Sequence, residues 1–298
     1  MRNVTLGLAA AWALGFSAAV APAQTAPEAQ TTSPATAPPA ETPEPAPPWR
    51  PPEGSTIINL PSADTNPAGT LQFNIGHRFS ESVQSDTHSF FSFFSPAQVN
   101  LGLAYTPLRG VETGVLRGES LEDYELFGKW SLFAPTDGPF HAAVRAGVDW
   151  RTARTTSDDP LHDNRSSVFA QAILAVTIAH RVRITAVPTY LSRAPVTSAD
   201  GFTTFYPRDV FNVPVAVTAS ITRSINVQGE IVPRREGASG VGWIAAVEKT
   251  VLRHRFSFTV GNIRAMTVDQ YSVYNSIQLA SSHKAYFGFN IVRLWKLN

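Results

Sequence analysis

Eleven charged side chains hold the pattern in this sequence that could do chemistry. Arg78, Lys129, Arg145, Arg151, Arg183 and Arg255 stand against Glu112, Glu125, Asp149, Glu230 and Glu248, each at an alternate position of a run rich in apolar and small residues. Successive side chains of a strand point to opposite faces. A sheet built from such runs therefore gathers six cations and five anions on one face, with His141 among them. Enclosed charges must pair or meet water, because an unpaired one is costly to bury. Two kinds of chemistry follow. A nearly balanced, narrow lumen passes small polar solutes with weak ion selectivity, or the pairs brace the wall of a closed lumen.

Enzymatic chemistry has little to stand on. The sequence holds no phosphate-binding loop, no dinucleotide fingerprint and no His-Glu-x-x-His. It also has no Gly-x-Ser-x-Gly elbow. The seven histidines are scattered, with no pair at metal-ligand spacing, so neither a metal nor a cofactor is expected. His141 reads as a hydrogen-bonded wall residue. A membrane-embedded hydrolase would need Ser89 beside His88, or Ser282 beside His283, but strand neighbours point oppositely. The acidic cluster Asp158, Asp159 and Asp163 reads as a solvated loop that could also meet divalent cations.

Strands must position the charges. Phe140–Arg151 sets the type: Phe140, Ala142, Val144, Ala146, Val148 and Trp150 make an oily face, and His141, Arg145, Asp149 and Arg151 lie on the other. Twelve residues suffice for a tilted membrane-spanning strand, which needs about 9–11. Similar runs are expected at 69–80, 97–105, 110–117, 124–133, 167–179, 181–192, 210–222, 224–234, 240–251, 253–262 and 284–295, making twelve in all. Residues 167–179 are so apolar that their facing stays open, and Pro188 and Pro214 predict bulges or edges. No window of comparable length favours a helix.

The connections alternate long and short, from the long 81–96 and short 106–109 to the single residues His180, Arg223 and Leu252 and the long 264–283. That alternation, with an even strand count, is the mark of an outer-membrane barrel. The fold expected is an all-β, up-and-down antiparallel transmembrane barrel with both termini periplasmic. Tyr105, Tyr124, Trp150, Phe211 and Trp295 fall near the expected strand ends, as interfacial girdles do. A soluble sandwich would seldom run twelve strands of this length in simple order. Arg293 falls on the outward face, where its head can snorkel to the interface.

The remaining sequence frames the barrel. Met1–Ala23 reads as a secretory signal, with Arg2, an apolar run over Leu6–Val20 and Ala21-Pro22-Ala23 at the cleavage site. Residues 24–54 read as a Pro/Ala/Thr-rich disordered periplasmic linker, with ten prolines between Thr25 and Pro52. It could reach the cell wall or a periplasmic protein. Residues 55–298 form the barrel domain, in which Ile57, Ile58 and Leu60 suggest that 57–69 folds against the periplasmic mouth. A net charge of +1 gives no case for nucleic acid, and the absence of cysteine removes disulfides. Phe90, Phe91, Phe93 and Phe94 are expected to fold onto the rim as extra girdle or inward as a plug, or to meet outer-membrane lipid, a partner or a ligand at the barrel mouth.

Ile58-Asn59-Leu60-Pro61, then Gly69, then an alternating run ending His77-Arg78-Phe79, resembles the opening signature of a bacterial family of membrane-bound β-barrel domains of unknown function. Val260-Gly261-Asn262 and Gln270-Tyr271 are similar to that family's last-hairpin pattern. The resemblance runs from about Ile57 to Trp295. It implies a fold and a location, and it brings no activity or site residues.

Overall fold

A computed structural model describes residues 54–84, 93, 95–119, 122–135, 138–154, 162–197, 205–233, 241–273 and 284–297. Its strands are β1 Thr70–Phe79, β2 Ala97–Leu108, β3 Val111–Gly118, β4 Asp123–Phe133, β5 Phe140–Arg151, β6 Ser166–Ile178, β7 Val182–Ala186 and β8 Thr189–Thr197. Then come β9 Phe205–Asn212, β10 Val215–Thr222, β11 Ile225–Val232, β12 Gly242–Val251, β13 His254–Gly261 and β14 Tyr286–Lys296. One helix, α1, spans Val268–Val273.

Every neighbouring pair is antiparallel, and the sheet closes where β1 meets β14 and β5 meets β6. The fourteen strands make twelve staves. β7 and β8 pair in turn with β6, and β10 and β9 pair with β7 and β8. The two interruptions lie side by side at Val187-Pro188 and Val213-Pro214, joined by the Val187 amide on the Pro214 carbonyl at 2.8 Å. Proline has no N–H to give a ladder, so placing both prolines at one break confines the damage. The sequence places 210–222 in one strand; the stave instead starts at Phe205 and is broken at Val213-Pro214. Phe211 therefore sits within the wall and not at its end.

Turns at one end are short. Between β6 and β7, Ala179 and His180 both take positive φ, at 50° and 56°, the conformation of the hairpin turn that matches strand twist. Leu252, at φ 53°, turns β12 into β13. The β2–β3, β4–β5 and β10–β11 turns share this end, as do Thr70 and Lys296. The long connections lie at the other end.

The burial pattern is that of a membrane barrel. Outward positions of β1 to β5 include Leu101, Leu103, Val115, Leu126, Trp130, Val144 and Trp150, all exposed. Inward positions carry Thr70, Gln72, Asn74, Arg78, Glu112, Glu125, Lys129 and Asp149, all buried. In β6, whose facing the sequence left open, Phe169, Gln171 and Ile173 point inward and Val168 and Leu174 outward. Arg293 points outward beside Trp295 and reaches His254 Nε2 at 2.6 Å. Phe93 packs on Phe79, Phe258 and Phe287 of the outer wall; Phe90, Phe91 and Phe94 lie outside the described residues. The signal segment, the linker up to residue 53, and the Ser/His pairs at 88–89 and 282–283 lie outside them too.

The interior is occupied by the chain itself. Residues 54–69 run into the lumen from the short-turn end and return to it. Residues 263–273, including α1, fill it from the other side. No helix is expected there; α1 is only six residues, too short to impose a period on the sequence.

Candidate functional site

The segment before β1 is a tight hairpin inside the barrel. The Ile57 amide donates to the Leu60 carbonyl at 2.9 Å, Ser62 donates to Ser55 at 3.0 Å, and Thr56 bridges Pro61. Its tip is Ile57–Leu60, with Ile58 and Leu60 fully buried. Ile58, Asn59 and Leu60 turn their successive amides the same way and make a small anion-binding nest. Glu230 of β11 fills it, accepting Ile58 N–H at 2.8 Å and those of Asn59 and Leu60 at 2.9 Å. Asn290 donates to the Ile58 carbonyl at 2.9 Å, and Arg78 bridges the Asn59 and Asn290 side-chain oxygens at 3.1 and 2.8 Å. Burying backbone polar groups is tolerable only when they are paired, and here wall side chains do the pairing.

Toward the short-turn mouth the wall holds the rest of the strap. Lys129 Nζ donates to the Ser55 and Asp64 carbonyls at 3.1 and 2.8 Å and lies 3.2 Å from Glu112. Ser131 donates to the Ala63 carbonyl at 3.0 Å, and Arg255 reaches Thr56 at 3.3 Å. Asp64 pairs with Arg183 and lies 2.6 Å from His141 Nδ1. Burial pushes the Asp64 carboxyl up, but the His141 hydrogen bond and the Arg183 charge outweigh it and hold it below the usual carboxylate range. Beside this trio a vestibule of about 790 Å³ opens, lined also by Arg109, His180 and Thr177.

The other insert is held as closely. Val268 N–H donates to Glu125 at 2.7 Å, Arg151 meets Asp269 at 2.6 Å, and Gln270 donates to Asp123 at 3.1 Å. Gln171 donates to the Tyr271 hydroxyl at 2.8 Å, and Asn212 to the Ser272 carbonyl at 2.6 Å. Gly76 admits Met266: a Cβ at that glycine would stand 2.0 Å from the Met266 sulfur. The cavity between the two inserts, bordered by Asn59, Met266 and Tyr271, measures about 30 Å³, room for about two waters.

Of the twelve residues read from the sequence as lining the lumen, ten are buried, and His141 and Arg183 are half-buried beside the vestibule. Register does not pair them simply. Glu125 stands opposite Asp149, and Lys129 opposite Arg145, so like charges face across β4 and β5. The attraction runs diagonally, Arg145 to Glu125, with the Arg145 guanidinium over the Phe127 ring at 4.1 Å. Arg255 lies 3.7 Å from Glu248, which also receives Asn226 at 3.1 Å. The sequence reading missed Asp64, Asp123, Asp269, Gln171 and Tyr271. Asp123 shares the inward alternation of Glu125 and could have been found. Asp64 and Asp269 lie in inserts with no periodic signal.

The family model described as membrane bound beta barrel domain (DUF5777) matches residues 53–295. Among solved structures, the chain is similar to an outer membrane channel from Pseudomonas putida F1, at 11% identity and TM-score 0.50, covering 80% of this chain and 100% of that one. It is also similar to the NanC porin, at 10% identity and TM-score 0.46, covering 76% of this chain and 99% of the porin. Outer membrane phospholipase A from Escherichia coli matches at 10% identity and TM-score 0.40, over 81% and 94% of the two chains. No curated protein sequence matches.

Proposed function

The chain belongs to the membrane bound beta barrel domain family, and from that premise we propose that it is an outer-membrane barrel shut by its own chain. In this reading the short-turn end faces the periplasm. The barrel holds the proline-rich segment before residue 54 there, where it can reach the cell wall or a periplasmic protein. The nest of Ile58, Asn59 and Leu60 on Glu230 carries the reading. A loose plug would leave its backbone to water, whereas this one spends a buried wall carboxylate on its tip. Liposome swelling with small sugars tests the closure. The full chain should give no more swelling than empty liposomes, and swelling at porin-like rates would overturn it. Removing residues 25–52 tests the tether: cross-links to periplasmic partners should vanish while the barrel stays in the membrane.

A second reading, a narrow route for small polar solutes, is favoured by the vestibule at Asp64, His141 and Arg183. There the strap would be a gate, and solute would wait at the mouth until it moves.

A further inference from the structure

Four acidic side chains converge beneath the long loops, and two cations meet them. Asp123 and Glu125 come from β4, Asp149 from β5 and Asp269 from α1. Arg145 serves Glu125, and Arg151 serves Asp269. Among the described residues, Asp123 and Asp149 remain without an ion-pair partner within 4 Å. Asp269 also receives Thr267 Oγ1 at 3.1 Å, and Asp123 receives Gln270 at one oxygen only.

Asp149 is different. It is fully buried, yet neither of its oxygens receives a hydrogen bond. Among the described residues the fully buried glutamates have donors: Glu112 has Lys129, Glu125 has Arg145 and the Val268 amide, Glu230 has three amides, and Glu248 has Asn226 and Ser257. Its carboxylate is aimed at its acidic neighbours, with oxygens of Asp123, Asp149 and Asp269 all within 4.8 Å of one another. A desolvated carboxylate is repelled by each carboxylate near it.

We propose that Asp123, Asp149 and Asp269 bind a divalent cation. The donors are hard oxygens with no histidine or cysteine among them, which selects the Ca²⁺ and Mg²⁺ class. Three carboxylates, two from strands and one from α1, suit Ca²⁺, which takes several protein oxygens in flexible geometry, better than Mg²⁺, which keeps several waters and takes one or two carboxylates. One doubly charged ion neutralises the excess. It also has a mechanical effect, because Asp269 belongs to the insert and the other two ligands to the wall. The ion ties residues 263–273 to β4 and β5.

The test uses the full chain refolded in detergent without lipopolysaccharide, stripped by chelator and titrated calorimetrically with CaCl₂ and, separately, MgCl₂. Saturable Ca²⁺ binding is expected with a dissociation constant on the order of 10⁻⁴ M or tighter. Asp149→Asn should weaken it by about tenfold or more. In the wild type, Ca²⁺ should also slow proteolysis within 263–273, and Asp149→Asn should lose that protection. If Asp149→Asn fails to fold, Asp269→Asn is titrated in its place. Absence of saturable binding by either ion in the wild type would overturn the site, leaving the carboxylates to share protons. So would binding unchanged in the variant, which would put the ion elsewhere, such as the acidic loop at 158–163. The titration is indifferent to whether the barrel conducts.

Discussion

Glu230 accepts the amide hydrogen of Leu60 at 2.9 Å across 170 positions of sequence. The same carboxylate oxygen takes the amide of Ile58, so one wall residue fixes the tip of the hairpin inside the barrel. Glu230→Ala should free the hairpin tip. Three buried amides would lose their acceptor, at about 1–3 kcal/mol each when left unsatisfied. Limited proteolysis should then cut within Ile57–Leu60 far faster than in wild type, and Glu230→Gln, which keeps one oxygen, should fall between.

Arg145 and Glu125 form a diagonal pair in a wall whose direct register sets like charges opposite. Arg145→Glu would bring a third carboxylate against Glu125 and Asp149. Breaking a buried pair typically costs about 3–5 kcal/mol. The urea midpoint of unfolding should drop accordingly, and adding Glu125→Arg should recover part of it. A midpoint unchanged by the single substitution would mean that solvent reaches the pair.

Gly76 and Met266 share one small volume. Gly76→Ala should push residues 263–273 out of place, because the new Cβ falls on the sulfur of Met266. Protease sensitivity of that segment should rise, and Met266→Ala in the same chain should restore protection.

The fold was legible where one physical rule acted repeatedly. Residues 140–151 alternate cleanly, and β5 has the expected bounds. The long and short connections gave the two ends of the barrel. Both prolines that signalled irregularity sit at the break in their staves. Alternation also put the twelve charged and histidine positions on the inner face. It could not say what they touch, since Lys129 and Glu230 spend their hydrogen bonds on a non-periodic strap. Ile57, Ile58 and Leu60 hinted that the strap is packed, but their apolar character does not tell a mouth from a lumen.

Acid should loosen the strap through Asp64. The folded carboxyl titrates below its ordinary value, so its contribution is complete above the unfolded carboxylate value of about 3.9. It is lost as pH falls through the lower folded value. Proteolysis of residues 57–66 with an acid-tolerant protease should therefore accelerate below about pH 4. Asp64→Asn should be looser at neutral pH and should lose this part of the acid response.

Closure by the two inserts is the central claim, and planar-bilayer recording of the refolded full chain tests it most directly. The space between the two inserts is about 30 Å³, room for about two waters, so the wild type should insert without steady conductance. Glu230→Ala should give brief openings as the hairpin tip comes loose. A stable, long-lived open level from the wild type at low voltage would contradict the account.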